Sequence, residues 1–384
     1  GPLSTGWWSQ LSRFYVIGVV TLAAVGIAYW WWHSGDPLRA IEVGTAVLVV
    51  TCPCALALAT PAAFAAAGSR LSQLRLLVTN GDAIETLSRA PPVSFDKTGT
   101  LTVGMPHITT VSVMDDAWTE DDCRRMAAAL EHASTHPLAR AFALPGSLPK
   151  VSGEKIVVGQ GVSGLVDGRE WRIGNAGFVG SAAAPDDATT THVFLGVDGK
   201  AVALFELDDT VRTDAAGTID TLRRLGLKAM LVSGDNQVAV DNVARQLGIT
   251  DAHAECTPED KLRIIEEAQQ NGERVVMVGD GINDAPVLAG ADASIAPAHG
   301  ALLAQTSADI IMLGESLVPV TTAVTMSRKT MRIVRQNLAW AIVYNVLALP
   351  LAAAGFVPPW AAAIGMSASS LIVVMNALRL NRFE

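Results

Sequence analysis

The chain has 384 residues, half of them hydrophobic, a mean hydropathy of +0.34 and a formal net charge of −9. This length is too great for one hydrophobic core and predicts two or more domains, and the acidic balance argues against a nucleic-acid partner. Four cysteines, two of them two residues apart in an apolar run, do not indicate a disulfide framework.

Four apolar stretches lie near the ends of the chain. Each is about long enough to cross a bilayer as a helix: residues 14–32, 41–67, about 338–354 and about 360–378. The sequence between the second and third stretches alternates charged and apolar residues, as in a soluble protein. We therefore expect two transmembrane hairpins, 11–67 and 330–379, separated by one large soluble insertion.

Basic residues lie at the soluble side of these membrane boundaries: Arg70, Arg75, Arg89, Arg328, Lys329, Arg332, Arg335, Arg379 and Arg382. An excess of lysine and arginine marks the cytoplasmic side of a membrane protein. We expect the insertion to be cytoplasmic and the lipid bilayer to be a partner of the chain.

Three apolar runs in the insertion each end in an aspartate: Asp96, Asp235 and Asp280. Continuous runs of valine, isoleucine, leucine and methionine are typical of parallel strands covered on both faces, and residues 214–225 and 238–247 have helical periodicity. The pattern predicts a doubly wound α/β domain formed by residues 68–103 and 210–325. Ligands of such sheets bind beyond the carboxyl ends of the strands, where the three acids should gather.

Residues 104–209 interrupt this domain. Thr119, followed at once by acidic residues, predicts the start of a helix. Asp167-Gly168 and Asp198-Gly199 lie between alternating runs and predict hairpin turns. We expect a second domain of α+β class, inserted between Asp96 and the motifs that follow it.

Asp96 is the leading candidate for a catalytic residue. A carboxylate can attack a phosphoryl group and form an aspartyl phosphate, and Lys97 and Thr98 follow it directly. A lone aspartate at the end of a strand is more often a cap of a turn. The full string from Asp96 to Thr102, Asp-Lys-Thr-Gly-Thr-Leu-Thr, resembles the phosphorylation motif of the P-type ATPases, and this favours the nucleophile.

The resemblance implies a haloacid dehalogenase-like phosphorylation domain and assigns roles to later residues. Lys261 is expected against the phosphoryl oxygens, and Asp280 is expected to bind Mg²⁺ together with Asp96 and Thr98, since this ion prefers oxygen ligands. The other catalytic residues that the resemblance implies are Lys97, Ser233, Gly234, Asp235, Asn283 and Asp284. The family usually has threonine at position 233, and serine keeps the hydroxyl group.

The segment 131–137, Glu-His-Ala-Ser-Thr-His-Pro, resembles the nucleotide-binding signature of the heavy-metal branch of that family. A glycine pair, Gly159 and Gly161, follows it, and then Gly174-Asn175. Glycines let an adenine lie against the backbone, and the His136 imidazole can stack on the base or hydrogen-bond to it. The alternative for His136 is a surface histidine at a helix start. The resemblance implies that these residues, with Glu131, hold ATP.

Cys52-Pro53-Cys54 lies within the second apolar stretch. Pro53 has no amide hydrogen for the Val49 carbonyl, so the helix can open there and both sulfurs can face one point. Thiolates select soft ions such as Cu(I) or borderline Zn²⁺. The alternative is a proline kink with two small buried cysteines. Heavy-metal P-type ATPases carry this motif in the helix that leads to the phosphorylation domain, which favours a transport site.

The last two apolar stretches bear on the choice of metal. Tyr344-Asn345, and Met366 with Ser370, resemble the pairings of the copper(I) branch. Zinc and cadmium pumps of the family tend to place lysine and aspartate there, and the sequence has neither between 338 and 378. The expected cargo is Cu(I), bound by Cys52, Cys54 and these residues, with a Zn²⁺/Cd²⁺ pump as the alternative.

The resemblance covers nearly the whole chain but not a whole pump. Members of the family also carry earlier membrane helices and an actuator domain with a Thr-Gly-Glu motif. In this sequence Thr5-Gly6 is followed by Trp7, so the Thr-Gly-Glu motif is not present. We expect the chain to be the C-terminal part of a copper(I)-exporting ATPase of a bacterial inner membrane. Its implied partners are the missing N-terminal part and a copper chaperone. Two further alternatives are an aspartyl phosphatase fused to a membrane anchor and a non-catalytic fragment that only binds ATP and metal.

Overall fold

The computed structural model describes residues 5–382 except 90, 133, 135, 136, 158, 181–190, 281–283, 299 and 301, and it describes side chains from Ile17 onward, leaving out that of residue 303. The described chain forms two compact units. One comprises the residues up to Leu74 together with those from Ala323, and the other runs from Arg75 to Thr322.

Helices and strands alternate through the second unit, whereas the first is helical. The helices are α1 Thr5–Ser34, α2 Pro37–Val50, α3 Cys54–Gln73, α4 Asp82–Ser88, α5 Glu120–Glu131, α6 Ala176–Val179, α7 Ala215–Arg224, α8 Gln237–Leu247, α9 Pro258–Gln270, α10 Ala285–Gly290, α11 Leu302–Ser307, α12 Val318–Ala353 and α13 Pro359–Leu378. The strands are β1 Leu76–Val78, β2 Val93–Phe95, β3 His107–Val113, β4 Ser152–Val157, β5 Gly161–Val166, β6 Arg169–Gly174, β7 Thr191–Val197, β8 Lys200–Asp208, β9 Ala229–Val232, β10 Asp251–His253, β11 Val276–Val278, β12 Ala293–Pro297 and β13 Ile310–Met312.

The first sheet of the second unit has seven strands in the order β1-β13-β12-β11-β2-β9-β10. All neighbours are parallel except β1 and β13, which are antiparallel. Every residue of β2 and β11 is buried, as expected for strands covered on both faces. The predicted doubly wound α/β fold is therefore confirmed, and it brings the carboxyl ends of β2, β9 and β11 to one edge of the sheet.

Capping residues fix the helices that approach this edge. Thr257 accepts a hydrogen bond from the Asp260 amide and Asp260 caps in return, while Pro258 occupies the first turn of α9. Asn236 caps α8 in the same way. These caps set the start of α9, and Lys261 therefore lies on its first turn.

The second sheet has six antiparallel strands in the order β3-β8-β7-β6-β5-β4. The Asp-Gly pairs at 167–168 and 198–199 both have positive φ and connect neighbouring strands, as their sequences predict. Helix α5 begins after Thr119, which forms a capping box with Asp122. The helix packs on one face of this sheet, and Trp171 and Phe205 lie in the core beneath it.

The helical unit holds three helical spans that are long and apolar enough to cross a membrane: Pro37–Gln73, Val318–Ala353 and Pro359–Arg382. This search covers only the described residues. The remaining predicted stretch, 14–32, lies within α1, whose first side chains are outside the description. Helix α12 begins well before the apolar stretch that it contains, because neither proline nor glycine interrupts the sequence between Pro319 and Pro350.

Candidate active site

The segment after β2 turns sharply at the sheet edge. The Asp96 amide donates to the Val278 carbonyl oxygen at 2.9 Å, which continues the β2–β11 pairing up to the aspartate. Gly99 follows with φ +75°, and a Cβ atom there would lie 2.0 Å from Asp280 Oδ2. Only glycine satisfies both the left-handed backbone and this close approach. The turn therefore holds the Asp96 motif directly against the end of β11.

Lys261 lies between two buried carboxylates. Its Nζ donates to Asp96 Oδ1 at 2.5 Å and to Asp284 Oδ1 at 2.8 Å. All three residues are less than a tenth exposed. Burial alone would lower the pKa of Lys261, but Asp96 and Asp284 outweigh it and raise the pKa above its ordinary value. The lysine is therefore a fixed positive charge beside Asp96.

Three carboxylates meet at this point. One oxygen atom from each of Asp96, Asp280 and Asp284 lies within 4.8 Å of the others. Burial raises the pKa of Asp96 to about 7, with Asp284 adding to the increase and Lys261 opposing it. Burial and then Asp284 raise the pKa of Asp280 to about 6. Three acids and one lysine leave an excess of negative charge, which a divalent cation that prefers oxygen ligands would neutralise, so the cluster fits Mg²⁺.

A second polar group surrounds Asp235. Its Oδ2 accepts hydrogen bonds from Lys97 Nζ at 3.0 Å, Ser233 Oγ at 2.7 Å and Thr98 Oγ1 at 3.4 Å. Asp235 is thus at the predicted edge, but it neutralises Lys97 and is not a member of the three-carboxylate cluster. Gly234 passes close to the Cys256 carbonyl oxygen, which would lie 3.3 Å from a Cβ atom. The predicted Asn283 lies outside the described residues.

Sequence reasoning missed two residues on the segment that returns from the second sheet. The Arg212 guanidinium donates to the carbonyl oxygens of Thr100 at 2.9 Å, Gly99 at 3.1 Å and Glu315 at 2.6 Å. Asp209 accepts from the Thr102 hydroxyl at 2.5 Å and the Gly104 amide at 3.1 Å. Together they fasten the turn that follows Asp96. The sequence did carry a signal for these residues. Two adjacent acids are followed closely by an arginine, at the point where the chain returns from the second sheet to the first.

Four of the predicted nucleotide-binding residues lie together in the second sheet. Gly161 and Gly174 are directly opposed on β5 and β6, and a Cβ atom on Gly161 would lie 2.0 Å from the Ile173 carbonyl oxygen. The Asn175 side chain accepts from the Phe178 amide and donates to the Gly159 carbonyl oxygen at 3.3 Å. These glycines allow two backbones to approach closely, and the asparagine fixes the corner beside them.

Glu131 lies at the end of α5 and is half-buried. Burial raises the pKa of its carboxyl group, and a hydrogen bond from Ser134 opposes this shift. His136, the other residue of the predicted signature, lies outside the described residues. The contact between His136 and a nucleotide base therefore stays a prediction.

The helical unit holds the residues predicted to bind the transported ion. The apolar stretch divides at Thr51–Pro53 into α2 and α3, as the lack of an amide hydrogen on Pro53 predicts. Cys52 and Cys54 are joined as a disulfide in this structure, so their predicted role as thiolate ligands requires the reduced pair and stays a prediction. The opened turn brings the two Cα atoms to 5.6 Å, within the usual range for such a bond. The Cys-Pro-Cys geometry thus converges both sulfurs on one point, as expected.

Helices α12 and α13 carry the other predicted ligands of that ion. Tyr344, Asn345, Met366 and Ser370 are all half-buried. The Tyr344 hydroxyl lies 2.7 Å from the position of a Cβ atom on Gly365, next to Met366. The structure therefore places Tyr344 of α12 against α13 at the level of the methionine.

Residues 93–292, about half of the chain, match the haloacid dehalogenase-like hydrolase family. The chain belongs to this family. The haloacid dehalogenase-like chain is 40% identical to "Cation-transporting P-type ATPase B" of Mycobacterium tuberculosis over an alignment of 390 positions, which covers 97% of the chain and 52% of that protein. It is 38% identical to "Copper-exporting P-type ATPase" of the same organism over an alignment of 385 positions, which covers 97% of the chain and 50% of that protein. The chain spans about half the length of these curated relatives.

A solved structure extends the similarity to the helical unit. A zinc-transporting PIB-type ATPase in the E2.Pi state aligns with a TM-score of 0.77 and 30% identity, covering 100% of the chain and 65% of the solved one. The haloacid dehalogenase-like chain is thus a homologue of heavy-metal P-type ATPases, which include copper-exporting ones.

Proposed function

We propose that this chain carries the phosphorylation site and part of the ion path of an ATP-driven heavy-metal pump, with Cu(I) as the cargo. The observation that carries the proposal is the buried Asp96, held by Lys261 and adjoining Asp280 and Asp284 at one sheet edge. The similarity to P-type ATPases supports the reaction class.

In the proposed reaction, a carboxylate oxygen of Asp96 attacks the γ-phosphorus of ATP. A new phosphorus–oxygen bond forms, the bond to the β–γ bridging oxygen breaks, and ADP leaves with that electron pair. Lys261 keeps Asp96 oriented and favours its ionised, nucleophilic form. Mg²⁺ held by Asp96 and Asp280 would supply further neutralisation of charge on the phosphoryl oxygens.

Acid-quench labelling tests the nucleophile. Wild-type protein incubated with γ-labelled ATP and Mg²⁺ should retain an acid-stable, hydroxylamine-labile label. Asp96→Asn should retain none while still binding ATP, because the amide cannot form the acyl phosphate. The matched control is Asp220→Asn, an exposed acid on α7. Undiminished labelling of Asp96→Asn would exclude Asp96 as the nucleophile.

We further propose that ATP binds at the corner formed by Gly159, Gly161, Gly174 and Asn175, and that Glu131 and His136 contribute to its binding. Gly161→Ala should abolish ATP binding, because its Cβ atom would collide with the Ile173 carbonyl oxygen. Gly177→Ala is the control, since its nearest neighbour, Asn175 Oδ1, would lie 3.7 Å away. Replacing His136 should weaken binding by somewhat less than tenfold, the loss of about one hydrogen bond. ATP affinity that is unchanged in both Gly161→Ala and His136→Ala would contradict this site.

The metal assignment rests on the residues of the helical unit. Reduced Cys52 and Cys54 would supply thiolates and Met366 a thioether, a soft set that suits Cu(I). X-ray absorption of the reduced, Cu(I)-loaded chain should show sulfur at about 2.2–2.3 Å, and Cys52→Ser/Cys54→Ser should abolish tight binding. A first shell of nitrogen and oxygen alone would refute the assignment.

Zinc is the second candidate, because a zinc-transporting ATPase aligns with the entire chain. Comparing phosphoenzyme formation with Cu(I) and with Zn²⁺ under reducing conditions separates the two. Stimulation by Cu(I) alone supports the copper assignment, and stimulation by Zn²⁺ alone replaces it.

A further inference from the structure

A cavity with four cationic side chains lies between α12 and α13, at one end of the helical unit. It has a volume of about 290 Å³ and is lined by Lys329, Arg332, Ile333, Gln336, Arg379 and Arg382. None of these described lining residues is acidic. Neither the proposed phosphoryl transfer nor the proposed ion path uses them.

The walls of this basic cavity are fixed by hydrogen bonds between the two helices. Asn376 of α13 accepts from the Arg379 guanidinium at 2.9 Å and donates to Gln336 of α12 at 3.3 Å. Asn376 also donates to the buried Asn337 at 2.8 Å. Arg379 and Arg382 follow α13 in a tight 3₁₀ turn, which directs side chains three residues apart to the same side. The four cations therefore line one place, two of them on α12 and two on the turn that follows α13.

Apolar stripes continue from the basic cavity along both helices. On α12 the spacing of Lys329, Arg332 and Gln336 continues through Trp340, Val343 and Leu347, which are exposed. The exposed Leu371 and Met375 of α13 precede Arg379 and Arg382 at the same spacing of three or four residues. Both helices are long and apolar enough to span a membrane, so these stripes lie along membrane-spanning segments. A cationic end joined to apolar stripes is complementary to an anionic amphiphile, which has a charged head and apolar chains.

We propose that this basic cavity binds the phosphate headgroup of an anionic phospholipid, whose acyl chains lie along the two apolar stripes. Arginine and lysine recognise phosphate oxygens through charge-assisted hydrogen bonds, and basic pockets between membrane helices suit anionic headgroups. The stripes distinguish a lipid from free phosphate, since only a lipid can cover both the cations and the adjoining apolar side chains.

Native mass spectrometry of the purified 384-residue chain in detergent tests the proposal, with phosphatidylglycerol titrated as the probe. Arg332→Gln/Arg379→Gln should lower phosphatidylglycerol affinity by about thirtyfold, since each cation close to an anionic lipid contributes roughly fivefold. Arg328→Gln/Arg335→Gln is the matched control, because it removes the same charge from α12 outside the cavity lining. The control variant should bind phosphatidylglycerol with an affinity within about twofold of the wild-type value, the scatter expected of surface changes.

Two further arms separate the possible sources of the phosphate. Phosphatidylcholine, which is zwitterionic, should bind weakly to both variants and the wild type. Glycerol phosphate, which has the anion without the chains, should fail to displace phosphatidylglycerol at equal concentration. If the double variant does not fold, Arg382→Gln is the second test, with an expected loss of about fivefold. Equal losses in the lining and control variants, or displacement by glycerol phosphate, would overturn the proposal.

Discussion

Lys261 balances the charge of the candidate active site, because it is hydrogen-bonded to two buried carboxylates at once. Lys261→Met should destabilise the protein by about 3–5 kcal/mol in the absence of Mg²⁺, the usual effect of removing one partner of a buried ion pair. Thermal unfolding of the purified chain measures this. Lys228→Met, an exposed lysine before β9, is the control and should change little.

Added Mg²⁺ should narrow the difference between Lys261→Met and the wild type, because a cation in the cluster replaces part of the missing charge. A variant as stable as the wild type without Mg²⁺ would show that Lys261 does not balance these acids.

The pH dependence of stability should report Asp280. Burial raises its pKa from 3.8 to about 6, so between these values the folded protein binds a proton that the unfolded chain does not. Its contribution to stability therefore increases as pH falls from 7.5 to 5, and ionised Asp280 destabilises the fold above pH about 6. Relative to Asp280→Asn, the metal-free wild type should gain thermal stability on acidification.

At neutral pH without metal, the wild type should be less stable than Asp280→Asn. Saturating Mg²⁺ should make the wild type the more stable of the two, because the metal stabilises only the protein that retains its carboxylate ligand. The exposed Asp220→Asn variant is the control for both measurements. Parallel melting curves of wild type and Asp280→Asn across this pH range would show that Asp280 is not perturbed by burial.

At the scale of elements, the turn after β2 is held by the segment after β8. Arg212 donates to three backbone carbonyl oxygens, two of them within the turn. Arg212→Met should destabilise the protein by about 2–4 kcal/mol, because it leaves partly buried acceptors without their donor. The substitution should also slow phosphoenzyme formation, since the turn that contains Gly99 would no longer be held against Asp280.

Arg224→Met is the matched control, because Arg224 is exposed and its ion pair with Asp220 contributes at most about 1 kcal/mol. Arg212→Lys separates charge from geometry, since one ammonium group cannot reach all three carbonyl oxygens. Phosphorylation at the wild-type rate in Arg212→Met would limit Arg212 to a role in stability.

At the scale of the whole molecule, the flanking charges predict the orientation in the membrane. In the helical unit the Arg39 guanidinium donates to the Gly355 carbonyl oxygen and Trp30 Nε1 to that of Ala353 at 2.9 Å, so the α1–α2 and α12–α13 connections lie at one end. Basic residues lie in the first half of α12 and directly after α13, at the other end of the apolar stretches, and this end should be cytoplasmic.

A membrane-impermeant maleimide tests this orientation in intact cells, with the native cysteines replaced. Phe356→Cys, in the exposed α12–α13 connection, should be labelled from outside. Asp220→Cys, in the soluble unit, should be labelled only after the cells are opened. Labelling in the opposite order would reverse the proposed topology.

Local signals in the sequence determined most elements of this protein. Proline at position 53 ended a helix because it lacks an amide hydrogen, and Asp-Gly pairs made hairpins because both residues tolerate positive φ. Buried parallel strands were predicted because apolar runs must be covered on both faces, and the strand ends placed Asp96 and Asp280 at one edge. Each of these inferences needs only residues that are close together in the chain.

Only the tertiary structure decided which side chains meet. Lys261 joins Asp96 to Asp284, Asp235 pairs with Lys97 instead, and Arg212 closes the turn after Asp96. The cations of α12 and α13 line one cavity for the same reason. Such contacts depend on strand order, register and helix rotation, which are set by packing between segments far apart in the chain. No local propensity specifies them.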